Sequence, residues 1–185
     1  MTSAKKLVIL DRDGVINVDS DAFIKTPDEW IAIPGSLEAI ARLNQAGYRV
    51  AVATNQSGIG RGLFDMATLN AMHEKMHRAA AVLGGRIDAV FFCPHTAEDQ
   101  CECRKPKPGM LQSIVDRFEI DPAATPTVGD SLRDLQAGAA LGFPTHLVLT
   151  GKGKKTLAAG GLPEGTKVHD DLKAFVLSFL AEQQE

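Results

Sequence analysis

The 185-residue chain is poor in aromatic residues, which make up 5% of it and include a single Trp and a single Tyr. So few aromatic side chains leave little surface on which nucleic-acid bases could stack. The formal net charge is −3, so no overall basic field argues for a nucleic-acid partner. The chain also lacks any run of about 18 apolar residues that could cross a bilayer. We therefore expect a protein that binds neither nucleic acid nor a membrane.

Cysteine is scarce as well, and the three cysteines all lie between residues 93 and 103. An odd number of cysteines in one short segment does not suit a disulfide framework, whereas it fits a metal site in a reducing compartment. The N-terminal residues lead directly into a strand-like run, without the apolar core of a signal peptide. We therefore expect a cytoplasmic protein.

Apolar strand-like runs alternate with helical patterns along most of the chain. The predicted strands lie at 5–10, 48–54, 87–93, 125–130 and 144–150, and the predicted helices at 36–47, 65–83, 109–118, 131–142 and from about 170 onward. Unbroken apolar strands between helices are typical of a parallel sheet covered on both faces. The sequence thus predicts an α/β fold with a doubly wound, Rossmann-like sheet and one domain over residues 1–185. Residues 151–165, rich in Gly and Lys, are expected to form a mobile loop, although residues 151–155 could instead approach a phosphate.

Polar motifs follow four of the predicted strands: "DRDG", "TNQSG", "CPH" with "CECRKPKPG", and "GDSLRD". Because the carboxyl ends of parallel strands meet at one edge of the sheet, we expect these motifs to converge there. Asp11, Asp13 and Asp130 would place three carboxylates at that edge, where they would repel one another unless a cation joins them. Hard oxygen ligands select Mg²⁺, which commonly binds substrate phosphate as well.

The same motifs carry groups that suit a phosphate. Thr54 and Ser57 offer hydroxyl groups, and the backbone N–H groups near Gly58 can form an anion-binding nest. Arg104 and Lys105 add the positive charge that a phosphoryl-transfer transition state requires. Each motif alone is equally compatible with an ordinary turn or an exposed basic loop. The convergence of four of them on one edge favours phosphate chemistry.

The cysteine segment reads "CPHTAEDQCEC" and contains four metal-ligand residues. Cys93, His95, Cys101 and Cys103 have the types required for a tetrahedral zinc site, and four protein ligands would make that zinc structural. Such a site would shape the short loop that presents Arg104. The alternative is a set of buried free thiols beside a histidine present by chance.

The motifs "LDRDG", "TNQSG", "RKPKPG" and "GDSLRD", in this order, resemble those of the haloacid dehalogenase superfamily of phosphatases over roughly residues 6–150. The cysteine loop is similar to that of a narrower group, the heptose bisphosphate and histidinol-phosphate phosphatases, and "NQSGIGRGLF" and "CRKPKPGM" are closer to the heptose enzymes. The resemblance implies a fold with a minimal cap and removal of a phosphate, expected at C7, from D-glycero-D-manno-heptose 1,7-bisphosphate. That reaction would lie on the route to ADP-heptose and the lipopolysaccharide core.

The resemblance also implies residue roles. Asp11 would be the nucleophile that forms an aspartyl-phosphate, and Asp13 would protonate the leaving oxygen and then activate water. Thr54 and Lys105 would clamp the transferring phosphoryl group. Mg²⁺ would be held by Asp11, the backbone carbonyl of Asp13 and Asp130. Asp134 is expected to orient the metal site or to cap the helix that follows Asp130.

Substrate contacts are expected from the residues beside these motifs: Arg12, Asp19, Asn55, Gln56, Ser57 and Arg104. Three alternatives remain open. One is hydrolysis of histidinol phosphate or another small phosphate ester, although the cations Arg61, Arg104 and Lys107 favour a bisphosphate. Another is a phosphoacceptor signalling module, against which an acid/base at Asp13 argues. The third is a zinc-dependent nucleic-acid binder, which the lack of a basic face disfavours. We expect a monomer.

Overall fold

A computed structural model describes residues 5–184 of the chain. The strands are β1 (Leu7–Leu10), β2 (Arg49–Asn55), β3 (Ala89–Cys93), β4 (Thr127–Gly129), β5 (Thr145–Val148) and β6 (Lys167–His169). The α-helices are α1 (Ser36–Gln45), α2 (Met66–Val82), α3 (Gly109–Phe118), α4 (Leu132–Ala140), α5 (Gly153–Ala159) and α6 (Leu172–Glu182). Short 3-10 helices occur at Pro27–Glu29, Ala97–Asp99 and Pro122–Ala124.

The strands form one parallel sheet in the order β3-β2-β1-β4-β5-β6. This order is that of a doubly wound α/β sheet, in which the chain starts at the centre and proceeds first to one edge and then to the other. The predicted fold class is therefore confirmed. β1 lies between β2 and β4, so the motif that follows it is placed at the point where the strand order reverses.

Side chains of β1 alternate between the two faces of the sheet, as strand geometry requires. Val8 and Leu10 pack in one apolar core with α1, α2 and α6, whereas Leu7 and Ile9 pack in a second core with α3 and α4. The apolar stripe of α2 faces the first core, where Leu69, Met72 and Met76 are fully buried. This stripe is the surface by which α2 packs against the sheet.

The segment predicted to be a mobile loop is ordered into regular structure. Residues 153–159 form α5, and the strand β6 follows shortly after it at the edge of the sheet. The prediction was wrong because α5 buries only Gly153 and β6 is largely exposed, so neither element carries an apolar period. The alternative expectation, that residues 151–155 approach the ligand site, agrees with the position of Lys152 in the cavity described below.

Within residues 5–184, the helices are all too short or too polar to cross a bilayer.

Candidate active site

A cavity of about 250 Å³ lies beyond the carboxyl ends of the central strands. It is lined by Asp11, Asp13, Asp19, Ser20, Asp21, Phe23, Ile24, Thr54, Asn55, Gln56, Ser57, Arg61, Arg104, Lys105, Asp130, Ser131, Arg133, Asp134 and Lys152. Residues from all four strand-end motifs are among them, so the motifs converge as the parallel topology predicted. Polar and charged side chains dominate the lining, which suits a small, highly charged ligand better than an apolar one.

Lys105 is the buried cation at the floor of this cavity. Its Nζ lies 2.6 Å from Asp134 Oδ1 and 3.2 Å from Asp11 Oδ1, and it donates a third contact of 2.6 Å to the carbonyl oxygen of Ala53. Burial alone would lower the pKa of this amine, but Asp11 and Asp134 raise it, so Lys105 is held in its charged form. A fixed cation beside Asp11 is therefore built into the site.

The carboxylates of Asp11, Asp130 and Asp134 each offer an oxygen within 4.8 Å of the others. Burial raises the pKa of Asp11 well above its ordinary value, and Asp134 raises it further. Burial and the charge of Asp134 likewise raise the pKa of Asp130 to about 7. Asp134 differs: burial would raise its pKa, but Lys105 and hydrogen bonds from Ser131 lower it.

These pKa shifts reflect how the three carboxylates share the positive charge of Lys105. Lys105 forms ion pairs with both Asp134 and Asp11, so a single cation is shared among the three carboxylates and the group retains an excess of negative charge. A divalent cation bound by oxygen would remove that imbalance, and carboxylates are the ligands that Mg²⁺ prefers. The residues present therefore fit a Mg²⁺ site, with Asp11 and Asp130 as the carboxylates that need it.

Asp13 is held differently from Asp11, although both face the cavity. Its Oδ1 accepts hydrogen bonds from Arg12 (Nη2 at 2.8 Å and Nε at 3.1 Å) and from Asn17 (2.8 Å). Its Oδ2 accepts one from Gln56 at 2.9 Å. The side chain of Asp13 is thus outside the group of three carboxylates. Two carboxylates two residues apart in sequence occupy two separate chemical environments.

The expectation that Arg12 contacts substrate is wrong. Its side chain is completely buried, does not line the cavity, and contacts Asp13 and His73 of α2. The physical reason is that a buried guanidinium requires acceptors within the protein, and Asp13 supplies the charged one. Nothing in the short motif "DRDG" distinguishes a buried arginine from one exposed to ligand.

The motif after β2 contributes both lining and support. Thr54, Asn55, Gln56 and Ser57 all line the cavity, as expected. Asn55 also forms a pair of hydrogen bonds with the backbone of Lys105, accepting from its N–H at 3.1 Å and donating to its carbonyl at 3.0 Å. Asn55 therefore fixes the loop that carries the buried cation.

The motif after β4 is bound tightly to its neighbours. Ser131 and Asp134 form a reciprocal capping box at the start of α4, so Asp134 caps the helix in addition to pairing with Lys105. Asp130 Oδ2 accepts the backbone N–H of Lys152 at 2.8 Å. Gly14, at φ 83°, approaches so closely that a Cβ there would lie 2.0 Å from Asp130 Oδ2. The glycine of "DRDG" is thus required for two reasons: its backbone has a positive φ, and Asp130 lies too close to leave room for a side chain.

Three cavity residues were not predicted from the sequence as site residues: Ile24, Ser131 and Arg133. Asp19, which was predicted, forms an ion pair with Lys152 across 3.4 Å. Arg61, Arg104 and Arg133 lie close together at the rim; burial, then Arg133 and also Arg61, lower the pKa of Arg104. Lys107, expected beside them, instead pairs with an exposed glutamate at 2.9 Å and does not line the cavity.

The cysteine loop brings its four metal-ligand residues together beside this rim. One ligand atom from each of Cys93, His95, Cys101 and Cys103 lies within 4.8 Å of the others, and Cys93 Sγ is 3.1 Å from Cys103 Sγ. Three thiols and an imidazole in one cluster have the donor chemistry of a tetrahedral metal site. Arg104 Nη1 donates to the carbonyl oxygen of His95 at 3.3 Å, so the cluster also supports a rim arginine.

Comparison with known protein families decides the classification. The sequence profile of the haloacid dehalogenase-like hydrolase family matches residues 4–142. The chain belongs to the haloacid dehalogenase-like hydrolases. The match covers the four strand-end motifs that line the cavity, so the hydrolase family and the geometry of the site refer to the same residues.

Individual relatives of this hydrolase carry more specific names. It is 64% identical over 177 residues to a D-glycero-beta-D-manno-heptose-1,7-bisphosphate 7-phosphatase of Bordetella bronchiseptica, a match that covers 96% of this chain and 99% of that protein. A phosphatase of the same name from Pseudomonas aeruginosa is 54% identical over 177 residues, again covering 96% and 99%.

Solved structures agree with these sequence matches. The crystal structure of the D,D-heptose 1,7-bisphosphate phosphatase from B. bronchiseptica, complexed with magnesium and phosphate, superposes with a TM-score of 0.95 over 96% of this chain and 99% of that one. The corresponding enzyme from Burkholderia thailandensis is 73% identical, with a TM-score of 0.78 over the same shares. The hydrolase therefore shares its whole fold with phosphatases of one named activity.

Proposed function

We propose that this hydrolase is a Mg²⁺-dependent phosphatase that removes the C7 phosphate from D-glycero-β-D-manno-heptose 1,7-bisphosphate. One observation carries the chemistry: Asp11 and Asp13 face one cavity in different environments, Asp11 beside a buried cation and an excess of negative charge, Asp13 held by neutral and cationic donors. One carboxylate is thereby suited to attack phosphorus and the other to exchange protons. The relatives named above support the substrate.

The reaction would proceed in two steps. In the first, a carboxylate oxygen of Asp11 attacks phosphorus, the bond between phosphorus and the sugar oxygen breaks, and Asp13 gives its proton to the leaving oxygen. In the second, Asp13 takes a proton from water as that water attacks the aspartyl-phosphate. Inorganic phosphate leaves, and both carboxylates return to their starting states.

Bound Mg²⁺ would supply charge neutralisation between Asp11 and the phosphate dianion. Asp11 and Asp130 would hold it, together with the backbone carbonyl of Asp13. Two side chains of the protein would also stabilise the transferring phosphoryl group. Lys105 offsets negative charge at Asp11, and Thr54, buried at the end of β2, would donate to the phosphoryl oxygens. Asn55 keeps Lys105 in place through its two backbone hydrogen bonds.

The far end of the substrate requires a second anion-binding region, and the rim offers one. Arg61, Arg104 and Arg133 line the cavity close to one another, and the residues 5–184 place no carboxylate within ion-pair distance of these three guanidinium groups. Such a cluster favours a phosphate group over a neutral or cationic one. We therefore assign the second phosphate to this rim, with Asp19, Gln56 and Ser57 contacting the sugar hydroxyls.

We also propose that Cys93, His95, Cys101 and Cys103 bind a structural zinc ion, and that the protein works as a cytoplasmic monomer on the route to the lipopolysaccharide core. The close-set thiols suit a reducing compartment. Residues 1–185 would act as one catalytic unit, since all the strand-end motifs serve one cavity.

The decisive experiment is phosphate release by the purified protein with Mg²⁺, compared for the heptose 1,7-bisphosphate, histidinol phosphate and several sugar monophosphates, with Asp11→Asn as the blank. Phosphorus NMR of the product identifies which phosphate leaves. We expect preference for the heptose bisphosphate and loss of the C7 signal. Preference for histidinol phosphate would retain the mechanism and overturn the substrate. Slow turnover with a stable phosphate on Asp11 would indicate a signalling module.

A further inference from the structure

Two buried side chains, those of His73 and Arg12, lead from helix α2 to the acid/base carboxylate of Asp13. His73 lies on α2, between Met72 and Met76, and is 8% exposed. Its Nε2 is 3.2 Å from Arg12 Nη1. The other two nitrogens of the same guanidinium, Nη2 and Nε, bind Asp13 Oδ1. Arg12 therefore connects Asp13 to His73, which lies 61 positions from Arg12 in sequence and outside the cavity.

The chemistry of this contact fixes the state of His73. A guanidinium can only donate hydrogen bonds, so Nε2 of His73 must accept, and an imidazolium has no nitrogen free to accept. The ring is therefore neutral, with its proton on Nδ1. Burial, followed by the charges of Arg12 and His77, lowers the pKa of His73 to about 4, which agrees with a neutral ring at physiological pH.

We propose that His73 is a positioning residue for the phosphatase reaction, because it fixes the rotation of the Arg12 guanidinium and thereby the direction in which Asp13 presents its proton. This inference rests on the phosphatase function proposed above. Asp13 Oδ1 accepts three N–H groups, two of them from Arg12, so a rotation of the guanidinium would move the carboxylate itself.

The role has a specific kinetic consequence. The value of kcat/KM reports the first irreversible step, in which phosphorus is transferred to Asp11 and the leaving oxygen departs, and it does not report hydrolysis of the aspartyl-phosphate. A sugar alkoxide is a poor leaving group that needs its proton from Asp13, whereas an aryl oxide such as p-nitrophenolate leaves without one. Misplacing Asp13 should therefore lower kcat/KM for a sugar phosphate more than for an aryl phosphate.

The test compares His73→Leu, His73→Gln and the control His77→Leu, which makes the same change at an exposed position one turn further along the same helix. We expect His73→Leu to lower kcat/KM for the heptose bisphosphate about tenfold, with less than about a twofold change for p-nitrophenyl phosphate. His73→Gln, whose amide oxygen can accept from Arg12, should recover most of the loss. Equal losses on both substrates would mean a merely structural role and would overturn the proposal.

A second measurement does not depend on turnover. Nitrogen NMR of histidine-labelled wild-type protein should show a neutral His73 ring with Nδ1 protonated and Nε2 accepting, assigned with His73→Gln. A ring protonated on Nε2, or an imidazolium at neutral pH, would refute the acceptor role. If the wild type hydrolyses none of the phosphate esters, the proposed function fails; the ring state then still decides whether the contact with Arg12 exists as described.

Discussion

Replacing Asp130 with Asn should stabilise the metal-free protein at alkaline pH while removing its Mg²⁺-dependent activity. Asp130 is 3% exposed, and burial together with Asp134 raises its pKa from the ordinary 3.8 to about 7. A group with a raised folded pKa contributes stability below its unfolded pKa and loses that stability as the pH rises through its folded pKa. At alkaline pH the folded wild-type protein must therefore bury an ionised carboxylate, which lowers its free energy of unfolding. The neutral amide of Asp130→Asn carries no such penalty.

The size of the effect follows from the shift. A difference of about three pKa units corresponds to a gain of about 4 kcal/mol in the free energy of unfolding of Asp130→Asn over the wild type at about pH 8. The gain falls below about 2 kcal/mol at about pH 5, where Asp130 is already protonated in the folded wild type. These values are upper bounds because water entering the metal-free site would relieve part of the cost. Added Mg²⁺ should stabilise the wild type and leave Asp130→Asn unchanged, since binding to the folded state alone adds to its stability.

Urea unfolding with a chelator present, at the two pH values, measures this difference. Asp134→Asn, in the first turn of α4, is the matched control, and its effect on stability should have the opposite sign. Although Asp134 is buried, Lys105 and Ser131 lower its pKa, so its charge contributes stability at neutral pH that is lost as the pH falls through that low pKa. If Asp130→Asn destabilises the metal-free protein equally at both pH values, the reasoning about charge at this site is refuted.

Three further predictions concern other parts of the site. Lys105→Met should lower kcat about 10²- to 10³-fold in steady-state phosphate release, because it removes the buried cation beside Asp11, whereas the exposed control Lys107→Met should retain full activity. Arg133→Ala should raise KM about tenfold for the bisphosphate and little for a monophosphate; an equal increase for both would contradict the assignment of the rim. Elemental analysis should find zinc in the wild-type protein, and Cys101→Ser should lower both the zinc content and Tm; an unchanged metal content would remove the case for that site.

The overall fold was predictable because its signals are local. Short apolar runs such as "LVIL" are buried on both faces only in a covered parallel sheet, and the helices between them carry clear apolar stripes. The elements that were missed, α5 and β6, bury almost nothing of their own. They form because Thr156 donates to the carbonyl of Asp130 at 2.8 Å and because β5 offers an edge for pairing, and both are tertiary contacts.

The location of the site followed from the sequence, but the allocation of its charges did not. Four polar motifs at strand ends had to meet at one edge once the sheet was parallel, so Asp11, Thr54, Lys105 and Asp130 were found together. Which carboxylates come together, here those of Asp11, Asp130 and Asp134, depends on the direction of side chains that lie beyond the last residue of each strand.

The architecture, the edge of the sheet that holds the site and the residue types present there all follow from the sequence, because they depend on apolar periodicity and strand order. Three other features depend on tertiary contacts: Arg12 lies buried against His73, Lys105 pairs with both Asp134 and Asp11, and a rim of arginines faces the cavity. The physical reason is that the energy of a buried charge depends on the partners packed around it, and those partners come from distant parts of the chain.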